Sequence, residues 1–162
     1  MSKARPGTGE LARFVYREAR LIDEKRLDEW YELFAEDALY WMPLVRGQTD
    51  PHSHTSLFCE DRFLLKVRIE RLKNPLSHSQ QQPSFCQHVL QRPELVERDD
   101  DAGEYAMRTP FVYLETRLDE QFMLGGVAHH DLRLEDGGLK IAVKRIELLN
   151  RDAALPSIQL FL

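Results

Sequence analysis

Cysteine is nearly absent: Cys59 and Cys86 are the two in 162 residues, too few for a disulfide framework. No apolar run approaches the roughly 20 residues of a membrane span. Met1–Gly9 has neither the apolar stretch nor the cleavage signal of a secretory leader, so the expected compartment is the cytoplasm. An excess of Lys and Arg is also missing. The net charge of −5 argues against a nucleic-acid surface, which needs clustered positive charge. Internal repeats and low-complexity segments are absent as well. The rest is ordinary: 43% apolar and 30% charged residues, in a length suited to a single domain, 1–162, around one core.

Met1–Gly7 is polar and is expected to fray, with Thr8 capping a first helix that runs to about Lys25. Within it Leu11, Phe14, Val15, Ala19 and Ile22 fall at helical spacing and make one apolar stripe. A second helix is expected from about Leu27 to Ala35, carrying Leu27, Trp30, Tyr31 and Phe34. Ala38–Leu44 then reads as a short buried strand stopped by Pro43. Val45–Ser56 is loop chemistry. Leu57–Lys73 is expected to be the third helix, with Phe58, Leu65, Ile69 and Leu72 on one stripe and Asn74-Pro75 ending it.

From Phe85 the pattern is β to the end. Strands are expected over Phe85–Arg98, Glu104–Arg117, Phe122–Leu134 and Leu139–Leu149, with turns at Asp99–Gly103 and Glu135–Gly138. Pro93 and Pro110 suggest an edge or a bulge in the first two. Fourteen residues at about 3.3 Å each span roughly 46 Å, whereas a domain of this size has a radius of gyration of roughly 15 Å. Such strands must curl. Gly125-Gly126 is the expected device, as a bulge or bend, and the apolar phase slips between Val143 and Ile146, a further irregularity. The expected class is α+β: a strongly curved antiparallel or mixed sheet closed into a cone by three N-terminal helices. The segment Ala154–Leu162 is too apolar for water and is expected to pack on the domain or on another chain.

The stretch Glu18–Pro43, E-x-x-L-I-D-E-x-R-L-D-E-W-Y-E-L-F-A-E-D-A-x-Y-W-M-P, resembles the opening of the small (β) subunits of aromatic-ring-hydroxylating dioxygenases. Residues 59–74 resemble them again: Asp61, Arg62, Leu65, Arg68, Arg71 and Leu72 match their pattern, while Cys59 and Glu60 replace its tyrosine and first aspartate. His78, Ser79, Pro83 and Ser84 resemble a His-Ser and proline-containing segment of the same subunits. The resemblance implies the cone fold shared by nuclear transport factor 2, ketosteroid isomerase and scytalone dehydratase. It also implies a non-catalytic structural subunit that trimerises and braces three large subunits in an α3β3 assembly. The Rieske 2Fe-2S cluster, the mononuclear iron and the substrate pocket are expected in those large subunits. The apolar C-terminal segment is expected to serve subunit contacts, its loss leaving the isolated fold mostly intact.

The residues of this chain agree with that division. A Rieske centre takes paired Cys-His motifs, but Cys86-Gln87-His88 has no second pair. His129-His130-Asp131 is tempting for iron, yet strand neighbours point to opposite faces. His52-Ser53-His54 lacks a third ligand, and Asp99-Asp100-Asp101 lacks the spacing of a calcium loop. The expected catalytic, cofactor and metal residues of this chain are therefore none. A second reading is a stand-alone isomerase, dehydratase or cyclase of the same fold. It would draw on His88, or His130 with Asp131, as base and on Tyr16, Tyr31, Tyr40, Tyr105 or Tyr113 as donor. Asp37 is expected to cap or turn the chain, and the thiolate of Cys59 to be disfavoured on a helix beside Glu60 and Asp61. Trp30 and Trp41 are expected as core or interface anchors. A third reading is a binding module without catalysis.

Overall fold

Of the apolar stripe of the first helix, Leu11, Val15, Ala19 and Ile22 are buried and Phe14 is half-buried in the computed structural model. They form the inner side of α1 (Thr8–Asp23), which packs on a mixed sheet. The structure describes residues 4–76, 83–136 and 138–162. His78 and Ser79 of the family-like segment and Gly137 of the last hairpin lie outside them. Gly7, not Thr8, is the N-cap of α1, and it supplies no side-chain cap. The helix ends in a Schellman arrangement: Lys25 N–H donates to Ile22 and Arg26 N–H to Leu21, with Lys25 at φ 57° where glycine is usual. This tight stop swings the chain into α2 (Leu27–Tyr31).

The second helix is a single turn rather than the expected run to Ala35. Phe34 already belongs to β1 (Phe34–Pro43), where it pairs with Ile141, so sheet pairing takes the residues that helical spacing also fitted. A larger correction concerns Leu57–Lys73. Its first part is β2 (Ser56–Asp61), antiparallel to β1, and only Arg62–Lys73 is helix, α3. The boundary is Asp61, whose carboxylate accepts the Leu64 N–H at 2.9 Å and so caps α3. Phe58 therefore sits on a strand. Leu65 and Ile69 bury the inner side of α3, while Phe63, Leu64 and Val67 face outward.

The expected strand Phe85–Arg98 is two, β3 (Phe85–Leu90) and β4 (Glu94–Asp99), both antiparallel to β5 (Glu104–Arg117). The break at Gln91–Pro93 has a partner in β5. Pro110 turns its carbonyl to Gln91 N–H, so its missing donor faces the gap instead of a ladder. β6 (Glu120–Glu135) and β7 (Gly138–Leu148) complete a sheet ordered β2-β1-β7-β6-β5-β3, with β4 also on β5 and β1 parallel to β7.

Gly125-Gly126 is not a bulge, since β5 and β6 pair without a break through Phe111–Gly126 and Val112–Gly125. Gly126 instead admits the close approach of β7, where a Cβ would lie 2.4 Å from the Glu147 carbonyl oxygen. The irregularity of the last strand is real and sits at Ala142. Leu132 pairs with Ile141 and Asp131 with Val143, leaving Ala142 unpaired as a bulge. Its consequence is that both Ile141 and Lys144 point into the core.

Candidate functional site

The inside of the cone holds charge. Glu18 stands on the apolar stripe of α1, one turn from Val15 and Ile22, and is 1% exposed. Lys144, turned inward by the Ala142 bulge, donates to its Oε1 at 2.6 Å, and Trp30 Nε1 donates to the same oxygen at 2.6 Å. His130 of β6 places Nε2 3.3 Å from Oε2. Burial by itself raises the Glu18 carboxyl pKa, but the Lys144 ammonium and the His130 contact outweigh it and hold it well below the usual carboxylate range. The sequence reading missed this cluster. A glutamate in step with Val15 and Ile22, and the phase slip in β7, were its two signals.

Above the cluster the C-terminal segment closes the cone. Leu160, Phe161 and Leu162 are buried within this chain. The Phe161 ring lies 4.4 Å from Trp30 and 5.8 Å edge-on from Tyr40, and the Leu162 N–H donates to the Tyr40 hydroxyl at 3.0 Å. Arg68 of α3 fixes the segment. Its guanidinium donates to the Leu160 carbonyl and to Glu60, both at 2.8 Å, and stacks on Phe58 and Phe161. The expectation that this segment is dispensable for the isolated fold is therefore corrected, because its side chains are part of the core.

A cavity of about 10 Å³ lies inside, lined by Val15, Glu18, His88, Thr109, His130 and Lys144 among others. Of these, His88 Nε2, Thr109 Oγ1 and His130 Nδ1 find no protein partner. The volume suits a single water. An aromatic or polycyclic substrate needs a cavity of a few hundred Å³. The acid/base reading also loses its expected pair: His130 contacts Glu18, not Asp131, which faces outward, and His88 contacts Asp23 at 2.6 Å. Tyr40 and Tyr113 are buried donors whose hydroxyl pKa values burial raises, whereas Tyr16 is on the surface.

The other candidates separate as follows. His129 points away from His130 and towards Glu147. His52 and His54 are exposed on their loop. Asp37 neither caps nor turns the chain; it lies on β1, exposed, in an ion pair with Arg133. Cys59 is on β2 rather than a helix, but its thiol pKa is raised, first by burial and then by Asp61 and Glu60. Asp99 folds the β4–β5 turn by accepting the Asp101 and Ala102 N–H groups, while Asp101 stands in solvent. Trp30 and Trp41 are buried anchors. A Rieske cluster does not fit these residues, because Cys86 on β3 and Cys59 on β2 occupy opposite ends of the sheet order.

Comparison with known proteins decides the family. The family model described as ring hydroxylating beta subunit matches residues 17–153. The chain belongs to the ring-hydroxylating β-subunit family. Members are β subunits of oxidoreductase complexes, and the match runs through the strands as well as the helical opening. The small subunit of 2-halobenzoate 1,2-dioxygenase from Burkholderia cepacia is 28% identical over 146 residues, covering 87% of each chain. The crystal structure of the β subunit of benzoate 1,2-dioxygenase from Burkholderia mallei is 25% identical with a TM-score of 0.75, covering 93% of this β subunit and 95% of that one. A naphthalene 1,2-dioxygenase structure shares the fold at a TM-score of 0.80 and 15% identity, over 96% of this chain and 85% of that one. Among the described residues of this β subunit, no helix is long and apolar enough to cross a membrane.

Proposed function

We propose that this β subunit is the non-catalytic brace of an aromatic-ring-hydroxylating dioxygenase, a homotrimer that seats three large subunits in an α3β3 assembly. The Rieske cluster, the mononuclear iron and the aromatic substrate belong to the large subunits, and the cytoplasm is the compartment of the whole. The observation that carries the reading is the filled cone. The place where this fold would keep a substrate is taken by the Glu18–Lys144–His130 cluster and by Phe161 and Leu162, beside a cavity of about 10 Å³.

Two outer surfaces suit assembly. On the outer face of the sheet Phe85, Val89, Val112, Met123 and Leu149 are exposed, with Val89 opposite Val112 and Gly125 beside Leu149. An apolar patch built across three strands is costly in water and fits a contact with another copy. The outer side of α3 adds Phe63, Leu64 and Val67, which suit the large subunit. Light scattering of the β subunit alone and with its cognate large subunit tests both. The expected masses are a trimer and a 3:3 complex. Val112→Asp with Met123→Asp should give a folded monomer, and Phe63→Asp a trimer that no longer recruits the large subunit. A wild-type chain that stays monomeric and ignores the large subunit would sink the proposal.

A further inference from the structure

Asp23, Cys86 and His88 come together where the last turn of α1 reaches the edge strand β3. Cys86 and His88 are two apart on that strand, so both side chains point to the inner face, where Asp23 meets them. One carboxylate oxygen, one sulfur and one ring nitrogen lie within 4.8 Å of one another. Asp23 Oδ1 is 3.6 Å from Cys86 Sγ and 2.6 Å from His88 Nδ1. The His88 N–H is shared between the two oxygens, 3.1 Å from Oδ1 and 3.0 Å from Oδ2, and Gln87 Nε2 donates to Oδ2 at 3.0 Å. The carboxylate is thus fixed by β3 and turns Oδ1 towards the two softer donors, as outer-shell partners orient metal ligands.

We propose that Asp23, Cys86 and His88 form a binding site for a borderline-soft divalent metal ion, Zn²⁺ above all, which ties α1 to β3. A thiolate, an imidazole and a carboxylate make the mixed donor set that suits Zn²⁺. Tetrahedral Zn²⁺ sets sulfur and oxygen about 3.5 Å apart and nitrogen and oxygen about 3.3 Å apart. The first separation is nearly in place, and the second requires the Asp23–His88 hydrogen bond to open. An open hollow beside the cluster is bordered by Tyr16, Arg20, Asp23, Gln87 and His88, so two of the three donor residues reach its edge.

Two carboxylates, Asp23 and Glu115, lie around the thiol, and one guanidinium, Arg20, borders the hollow. Behind Cys86 its register partner Glu115 is buried and accepts the Tyr113 hydroxyl at 2.7 Å. Those carboxylates offset the charge of a bound dication, and on binding the thiol releases its proton to solvent. The role is structural and independent of the redox iron assigned to the large subunit.

The probe is Co²⁺ titrated into the chelator-stripped full chain under reducing conditions. One equivalent should produce a near-ultraviolet thiolate-to-cobalt band and visible bands of a tetrahedral site, both bleached by Zn²⁺. Cys59→Ser, which leaves Cys86 as the sole thiol, should keep the band, Cys86→Ser should lose it, and His88→Gln should weaken binding by about tenfold or more. Zn²⁺ at a hundredfold excess over Kd should raise the Tm by roughly 5–10 °C. Because Cys59→Ser is remote from the site, its spectrum stays informative even if the other variants misfold. No thiolate band in the wild type or in Cys59→Ser, or a band that survives Cys86→Ser, would overturn the site and leave an Asp–His pair beside an inert thiol.

Discussion

At position 144 the sheet turns a lysine inward, and the carboxylate of Glu18 answers it. Removing one partner of a buried ion pair leaves the other charge uncompensated. Lys144→Met should therefore cost about 3–5 kcal/mol at pH 7, measured by urea denaturation. The pH dependence has a definite sign. Glu18 has a folded pKa below its ordinary 4.5, so the stability it contributes is present in full above that value and is lost as pH falls below it. The gap between wild type and Lys144→Met should narrow as the pH drops below 4.5. A gap that stays constant from neutral to acid pH would mean that Glu18 is not the group concerned. The two adjacent glycines make a second contrast. A Cβ at Gly126 would meet the Glu147 carbonyl oxygen at 2.4 Å, whereas one at Gly125 meets Leu149 Cδ1 at 3.5 Å, an ordinary contact. Gly126→Ala should destabilise by about 1–3 kcal/mol and Gly125→Ala by much less. Equal effects at the two sites would refute the close-approach account.

At the scale of elements the C-terminal segment behaves as core. Phe161 fills the space between Trp30 and Tyr40, so Phe161→Ala should cost about 3–5 kcal/mol in stability, read by thermal or chemical denaturation. Deleting Ser157–Leu162 should also lower stability sharply, through lost packing and through the loss of the Leu160 carbonyl that Arg68 holds. A truncated chain with an unchanged unfolding midpoint would restore the view that this segment serves only assembly. The first half of the expected third helix carries a similar lesson. Leu57–Asp61 has helical spacing, but β1 offers it an antiparallel ladder and Asp61 supplies a cap three residues before Leu64, so the helix starts late.

For the whole molecule the decisive quantity is interior volume. A cone wrapped by long curved strands is a natural pocket, yet here its inside is occupied by side chains of α1, β6 and β7 and by the last three residues. With side chains filling the interior, the outer face of the sheet and the outer side of α3 still expose apolar residues, among them Val112, Met123 and Phe63. A filled cone with exposed apolar outer surfaces fits the proposed role of a subunit that supports chemistry elsewhere.

The amino-acid sequence alone determined the class of fold, the apolar stripe of α1, the long strands that must curl and, through Glu18–Pro43 and residues 59–74, the family. Those features are written in local periodicity and contiguous motifs, which need no partner to be read. Tertiary structure decided where α2 and α3 begin and end, because sheet pairing competes with helical spacing for the same residues. It also decided that Asp23 meets His88 and Glu18 meets Lys144 across separations of 65 and 126 residues. The bulge at Ala142 reverses which side of β7 faces in, and a shift of one residue there moves a lysine from solvent to the core. Whether the apolar C-terminal segment covers its own domain or another chain was open in the sequence; the fit of Phe161 between Trp30 and Tyr40 resolved it.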